Sequence, residues 1–169
     1  RSILLHNNHQ NHIDYATIIG NMAFLYKKSG QPAKAETLLL EALELRKKKL
    51  GELHPDFAST LDNLGELYET SGEYRKAEKL YLKSLEIYKK TLGPEHQDYG
   101  TELSNLAGIY LKTEEWDKAE HLFNEAYKHR IENLGTQHFL SIYTLNSAAD
   151  FFLQKGDLKK AFELITETF

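Results

Sequence analysis

The sequence predicts an all-α protein, a right-handed superhelical solenoid of repeated helix-turn-helix units. The first observation is a histidine that recurs every 42 residues, at His12, His54, His96 and His138. The second is a set of further columns at the same spacing, among them the small residues Ala35, Ala77, Ala119 and Ala161. The third is an apolar spacing of three and four residues, which is the period of a helix and not of a strand. A fixed period of this length indicates a repeat array.

The composition is that of an ordinary globular domain. The 169 residues carry a formal net charge of −4, so nothing in the charge balance predicts binding to nucleic acid or to a membrane surface. No cysteine is present, which excludes disulfides and cysteine-ligated metal sites and suits a reducing compartment. We therefore expect a cytoplasmic protein with no bound cofactor.

Alignment on the histidine column divides the chain into the units of a single solenoid domain. We assign three full units to residues 12–53, 54–95 and 96–137, and a truncated fourth to 138–169. Residues 1–11 are expected to hold the end of a preceding unit and a linker. Because no polar capping helix closes either end, we expect a piece of a longer array.

The sequence pattern predicts that each unit forms two helices separated by a turn. In the second unit Phe57, Leu61 and Leu64 fall on one face of a first helix, and Gly72 can adopt the left-handed conformation that ends it. The third unit has Glu114 in the place of this glycine, so its turn is either left-handed and strained or rebuilt as helix. The predicted helices cover residues 14–31, 32–50, 56–71, 73–92, 98–113, 115–134, 140–155 and 157–169. The column histidines are expected to bond the backbone where each first helix begins.

The residue columns resemble those of a known repeat. The stretch "HPDFASTLDNLGELYETSGEYRKAEKLYLKSLEIYKKTLG" is similar to the 42-residue tetratricopeptide repeat of kinesin light chains. Similar arrays occur in nephrocystin-like proteins and in bacterial proteins that carry CHAT protease or NTPase domains. The resemblance implies that the first helices line a concave groove and that the groove binds peptides or proteins.

By that resemblance, the groove-facing side chains of the first helices are candidate peptide contacts. An asparagine has both a donor and an acceptor, so its column can bond the backbone of an extended peptide; the alternative is that these amides bond neighbouring repeats. Two aromatic members, Phe24 and Tyr143, are either ligand contacts or core residues. The candidate residues are Asn21, Phe24, Lys28, Asp62, Asn63, Glu66, Glu69, Asn105, Lys112, Tyr143 and Asn146.

Three of these candidates predict the charge of the partner. Asp62, Glu66 and Glu69 share one helix face, with lysines such as Lys27 and Lys112 toward the flanks. Kinesin light chains select acidic, tryptophan-bearing peptides with basic groove residues, so this sequence departs from that pattern. We expect a peptide or protein partner with basic or polar groups opposite the second repeat. The alternative is that the carboxylates are merely solvated.

The sequence contains none of the common motifs of catalytic sites. The P-loop, the dinucleotide fingerprint, the nucleophile elbow and the zinc protease motif are all absent, so we predict no enzymatic activity. The stretch "HNNHQNH" places His6, His9 and His12 three apart, but without a fixed carboxylate it is a weak metal signal, and we assign no metal site. The run "RKKK" at 46–49 is expected to be a solvated helix end.

Three hypotheses about function follow. The first is a protein-interaction scaffold that binds its partner in the groove. The second is a regulatory array that belongs to a larger enzyme, for example a CHAT protease. The third is self-association through the uncapped ends.

Overall fold

The computed structural model describes residues 8–166, and side chains from residue 12 onward. Within this range the chain forms helices and no strands, so the predicted all-α repeat fold is confirmed. None of these helices is long and apolar enough to cross a membrane. In chain order they are α1 Asn8–Lys28, α2 Pro32–Leu50, α3 Pro55–Thr70, α4 Tyr74–Thr91, α5 Gln97–Lys112, α6 Trp116–Leu134, α7 Phe139–Lys155 and α8 Leu158–Thr166.

The helices form two compact units that divide between Thr91 and Leu92. Each unit contains two helical hairpins, and in each the second helix of one hairpin packs on the first helix of the next. In the first unit the two hairpins pack through a hydrophobic cluster in which Leu39 of α2 contacts Leu64 and Leu67 of α3. The second is closed by a cluster in which Phe123 of α6 meets Phe151 of α7.

The hairpin turns explain why glycine recurs between the helices. Gly30, Gly72 and Gly156 have φ of 73°, 77° and 85°, a left-handed conformation that costs glycine no side-chain strain. Glu114 occupies the same place in the third repeat and has φ of 61°. The left-handed alternative for this turn is therefore the one the chain adopts.

The column histidines begin three of the first helices, as predicted. Nδ1 of His54 accepts a hydrogen bond from the backbone N–H of Asp56 at 3.1 Å. His96 and His138 accept from the residues two further on in the same way, at 3.3 Å each. Each ring thus satisfies one of the backbone donors that a helix start leaves without an intrahelical partner.

The prediction was wrong at the first helix. Helix α1 begins at Asn8 and not at residue 14, so the expected linker is helical from Asn8 onward and His12 lies inside the helix. The physical reason is that the first 19 residues contain neither glycine nor proline. By contrast, Gly51 and Gly93 have positive φ and follow the ends of α2 and α4, before His54 and His96. The rest of the predicted linker and preceding unit, like the end of the fourth unit after Thr166, lies outside the described residues.

The alanine column marks the close crossing of the two helices within each hairpin. Ala35, Ala77, Ala119 and Ala161 are all buried. Gly65 of α3 is equally constrained, because a Cβ atom built there would lie 2.6 Å from the ring of Tyr81 on α4. These small residues let the helices approach, and they position the first helices whose opposite faces are described next.

Candidate functional site

The exposed side of α1 and α3 in the first unit carries the most distinctive of the candidate residues. Phe24 is 50% exposed, so it is not a core residue. The ammonium groups of Lys27 and Lys28 lie 5.5 and 5.4 Å from the centre of its ring, within the range of cation–π attraction. Beside the ring, a shallow pocket is lined by Gly20, Ala23, Phe24, Lys27, Leu39 and Asn63. We call this surface the first-helix face.

An ion pair joins the two helices of the first-helix face. Lys27 Nζ of α1 contacts Glu66 Oε2 of α3, and the lysine side chain is mostly buried while the glutamate is about half exposed. The sequence placed Lys27 at a flank and Glu66 in a group of repelling carboxylates; the pair shows that Glu66 is instead neutralised from the preceding repeat.

The other two members of the predicted carboxylate group are also engaged. Glu69 accepts a hydrogen bond from the hydroxyl of Tyr81 on α4 at 2.9 Å, which turns it toward its own hairpin. Asp62 is half-buried and has an interaction partner of its own. Two of the three carboxylates are therefore held by groups that column alignment does not pair with them.

The asparagine column is not uniform. Asn21 is exposed on α1. Asn63 is half-buried, and its Nδ2 donates to the carbonyl of Ser59 in its own helix at 2.9 Å. Asn105, in the second unit, is half-buried and has an interaction partner. The amides of Asn21 and Asn63 belong to the first-helix face.

The second unit presents its own candidates. Lys112, Tyr143 and Asn146 are exposed, and Tyr143 is 63% exposed, which excludes it from the core. By contrast Phe151 is fully buried and packs with Phe123 and Trp116. Exposure thus separates the aromatic side chains that are available for contact from those that hold the hairpins together.

Sequence reasoning missed one half-buried and one buried arginine, Arg46 and Arg130. Arg46 of α2, which the run "RKKK" suggested to be solvated, donates from Nη1 to the carbonyl of Asp56 at 2.8 Å and to the hydroxyl of Thr60 at 2.7 Å. Arg130 of α6 stands in the same column and is 3% exposed. Burial lowers the pKa of both guanidinium groups. The signal that could have found them is their register, since they share a column with the buried Tyr88.

Two further interactions change the pKa of one of the side chains that take part in them. The hydroxyl of Tyr68 donates to Glu36 at 2.5 Å, and this bond raises the pKa of Tyr68 to about 12. Glu52, in the loop after α2, accepts from Lys47 and Lys83, which lowers its pKa to about 2. Both links join a second helix or the loop after it to the following hairpin.

The metal signal in "HNNHQNH" falls mostly outside the described side chains, since only that of His12 is described. Among the residues that the structure does describe, no group of three or more potential ligands is placed to hold a metal ion. The described chemistry of the first-helix face is therefore that of a contact surface: an aromatic ring, amides and charged groups.

Comparisons with known proteins agree with this geometry. The family model of the tetratricopeptide repeat matches residues 14–90, 58–101 and 101–169. No curated protein matches the chain at a significant level.

Solved structures share the fold. A Podosopora anserina protein described as a kinesin light chain with nearly identical TPR-like repeats superposes with a TM-score of 0.83 at 22% identity, over 93% of this chain and 74% of that one. BtubC from P. vanneervenii gives 0.83 at 25% identity, over 94% of this chain and 62% of that one. A Signal Transduction ATPase with Numerous Domains from Pyrococcus horikoshii, which has a tetratricopeptide repeat sensor, gives 0.80 at 21% identity, over 97% of this chain but only 24% of that protein.

Proposed function

Because the chain belongs to the tetratricopeptide repeat family, whose repeats are generally protein-interaction modules, we propose that it is a non-catalytic scaffold that binds a peptide segment of a protein partner on its first-helix face. The observation that carries the proposal is the exposure of Phe24. Half of this ring is available for contact, and aromatic side chains are enriched among the residues that dominate binding energies.

The groups around Phe24 define what the partner offers. An apolar side chain can lie against the ring and over Gly20, where no group outside the helix's own backbone and the chain neighbours lies within 4 Å of the place that a Cβ atom would occupy. The amides of Asn21 and Asn63 supply hydrogen bonds for an extended backbone. Glu66 is half exposed despite its lysine, so a basic or polar group of the partner can meet it opposite the second repeat.

A selection from random peptides tests this proposal and needs no natural partner in hand. The peptides are displayed on phage and selected on the wild-type chain, and the enriched sequences are measured by fluorescence polarisation. We expect Phe24→Ala to weaken binding at least about tenfold, the effect of a binding hot spot. The control is Leu82→Ala, which truncates an exposed apolar side chain on α4, away from the first helices. Equal binding to the wild type and to Phe24→Ala would contradict the proposal.

The same peptides test the charge of the partner. Under the proposal, Glu66→Gln slows association at low salt and removes part of the salt dependence, because exposed charges mainly steer encounter. The matched control is Glu44→Gln, an exposed carboxylate on α2. Selected peptides that are acidic and that bind Glu66→Gln more tightly would reverse the proposed charge.

A second candidate function is a sensor array within a larger enzyme. The similarity to a tetratricopeptide sensor in a multidomain ATPase favours it, since almost all of this chain aligns with a small part of that protein. The encoded sequence on either side of the array distinguishes the two functions. An adjoining ATPase or protease domain supports the sensor, and flanking sequence without a catalytic domain supports the scaffold.

A further inference from the structure

Gly20 is a glycine inside α1 that helix packing does not require. Glycine within a helix lowers stability relative to alanine, so its presence there calls for a reason. Gly65 of α3 has one, because an added Cβ atom would lie 2.6 Å from the ring of Tyr81. Gly100 of α5 has one too, because the atom would meet the ring of His129. At Gly20 no group outside the helix's own backbone and the chain neighbours lies within 4 Å of that place, so the backbone of α1 is open there.

This side of a first helix stays uncovered when another hairpin precedes it. Gly20 and Phe24 are four residues apart and so share one side of α1. On α3 the position that matches Phe24 is Glu66, whose side chain is 47% exposed although the hairpin of α1 and α2 packs on α3. On α7 the two matching positions are Asn146 and Asp150, and both are exposed although α6 packs on α7. The open backbone at Gly20 therefore belongs to the first-helix face and does not depend on what precedes α1.

The surroundings of Gly20 suit a segment that lies along the surface. The shallow pocket beside Phe24, which Gly20 and Asn63 also line, has a volume of about 10 Å³. This is room for about one water molecule, so no side chain of a partner fits inside it. Nδ2 of Asn63 donates to the carbonyl of Ser59, and its Oδ1 can accept a hydrogen bond from a main-chain N–H of the partner. A partner therefore contacts the backbone of α1 by laying its own main chain on it.

We propose that Gly20 is the specificity-determining residue of the first-helix face, and that an extended peptide lies along α1 with a small residue on Gly20 and an apolar residue on Phe24. The inference rests on the binding function proposed above and adds to it the kind of peptide that binds. Residues that face one side of an extended chain are about 6.6 Å apart, and Gly20 and Phe24 are about 6 Å apart along the helix axis. The peptide therefore carries its small residue two positions from its apolar residue.

A side chain at Gly20 would hold this peptide away from the ring of Phe24. Glycine lets another main chain approach closely because its Cα atom carries no side chain. A gap of about 0.5–1 Å already forfeits about a quarter to a half of the dispersion attraction between two surfaces, and a methyl group opens a gap of at least that size. The other first helices carry Asp62, Ser104 and Asn146 at this position, so the selectivity belongs to the first repeat.

The peptides selected on the wild-type chain by phage display test the role of Gly20. We expect the enriched sequences to share a glycine, alanine or serine two positions from an apolar residue. In fluorescence polarisation Gly20→Gln should weaken their binding at least about tenfold, and Gly20→Ala should give a smaller loss. Alanine and glutamine are better helix formers than glycine, so urea unfolding should show that neither variant is less stable than the wild type. The control is Ala33→Gln, which adds bulk at an exposed position of α2 and should bind like the wild type.

Two further measurements address the contact itself. Replacing the small residue of a selected peptide with valine should weaken its binding to the wild type by a similar factor. In an isotope-filtered NMR spectrum of the complex, the Hα protons of Gly20 should show nuclear Overhauser effects to the peptide, which a merely structural glycine would not.

The outcomes separate this inference from the proposed function. If Phe24→Ala weakens binding but Gly20→Gln binds like the wild type, the role of Gly20 is wrong and the proposed function stands. Selected peptides without a small residue two positions from the apolar residue would also overturn the inference. Equal binding by the wild type, Phe24→Ala and Gly20→Gln would overturn both.

Discussion

Lys27 of α1 and Glu66 of α3 form an ion pair that joins the first helices of two successive repeats. The lysine is mostly buried and its ammonium also lies near the ring of Phe24, so one side chain links the repeat interface to the exposed aromatic ring. The pair therefore contributes to the shape of the first-helix face as well as to its charge.

The energy of this pair can be measured with a double-mutant cycle. Lys27→Met, Glu66→Gln and the double variant are unfolded in urea, and the coupling in the free energy of unfolding is expected to be about 0.5 kcal/mol, as for partly exposed pairs. The coupling should shrink in about 1 M salt, where charges are screened within about 3 Å. A coupling of zero in low salt would mean that the pair does not form in solution.

The sequence predicted the helices more completely than it predicted the pairing of their side chains. The 42-residue period and the turn glycines placed seven of the eight helix starts within two residues, because both signals are present in the sequence itself and do not depend on how the helices pack. The pairs Lys27–Glu66 and Tyr81–Glu69 depend on how two helices cross and on which rotamer a long side chain adopts. Column alignment holds neither kind of information, so it predicted the shared helix face of Glu66 and Glu69 but not their partners.

Glu114 illustrates a different limit. Its place in the turn was evident from the repeat, but two backbone solutions remained, and only the structure distinguishes them. The predicted start of the first helix was wrong for a third reason. The repeat pattern predicted a linker before His12, whereas the residues there include no glycine or proline that would end a helix.

Replacement of the turn glutamate should stabilise the protein. Glu114 has φ of 61° and its side chain is exposed, so Glu114→Gly relieves the strain of a left-handed residue and gives up no buried contact. After the entropy that glycine gains in the unfolded chain is subtracted, we expect the free energy of unfolding to rise by about 1 kcal/mol. The converse control, Gly72→Ala, should lower it by a similar amount. A decrease for Glu114→Gly in urea unfolding would contradict the assigned backbone strain.

Two glycines within first helices should respond to alanine with opposite signs. At Gly65 the added methyl group meets the ring of Tyr81, so Gly65→Ala should lower the free energy of unfolding by about 1–3 kcal/mol. At Gly20 it meets nothing within 4 Å, so Gly20→Ala should raise it by about 0.5–1 kcal/mol through helix propensity alone. Urea unfolding of the two variants measures both. Equal signs would show that the hairpin crossing at Gly65 is looser than the structure has it.

The half-buried Arg46 and the buried Arg130 stand at equivalent positions of two units. Arg46 donates at 2.8 and 2.7 Å to Asp56 and Thr60, and so links α2 to α3. Arg130 has one long bond, 3.4 Å from Nη2 to the hydroxyl of Thr101, and its Nε and Nη1 have no partner among the described residues. Both side chains lose hydration on folding and each has a buried Nε without a partner among the described residues, but only Arg46 replaces part of that hydration with short hydrogen bonds.

Methionine has a similar length without the charge, so substitution at the two positions should give different results. Arg46→Met breaks the link to α3, and we expect the free energy of unfolding to fall by about 1–3 kcal/mol. Arg130→Met removes a desolvated and poorly bonded charge, and we expect no loss or a gain of about 1 kcal/mol. Urea unfolding followed by circular dichroism gives both values. A loss at Arg130→Met as large as that at Arg46→Met would show that the Arg130 guanidinium is fully bonded in solution, contrary to its geometry in the structure.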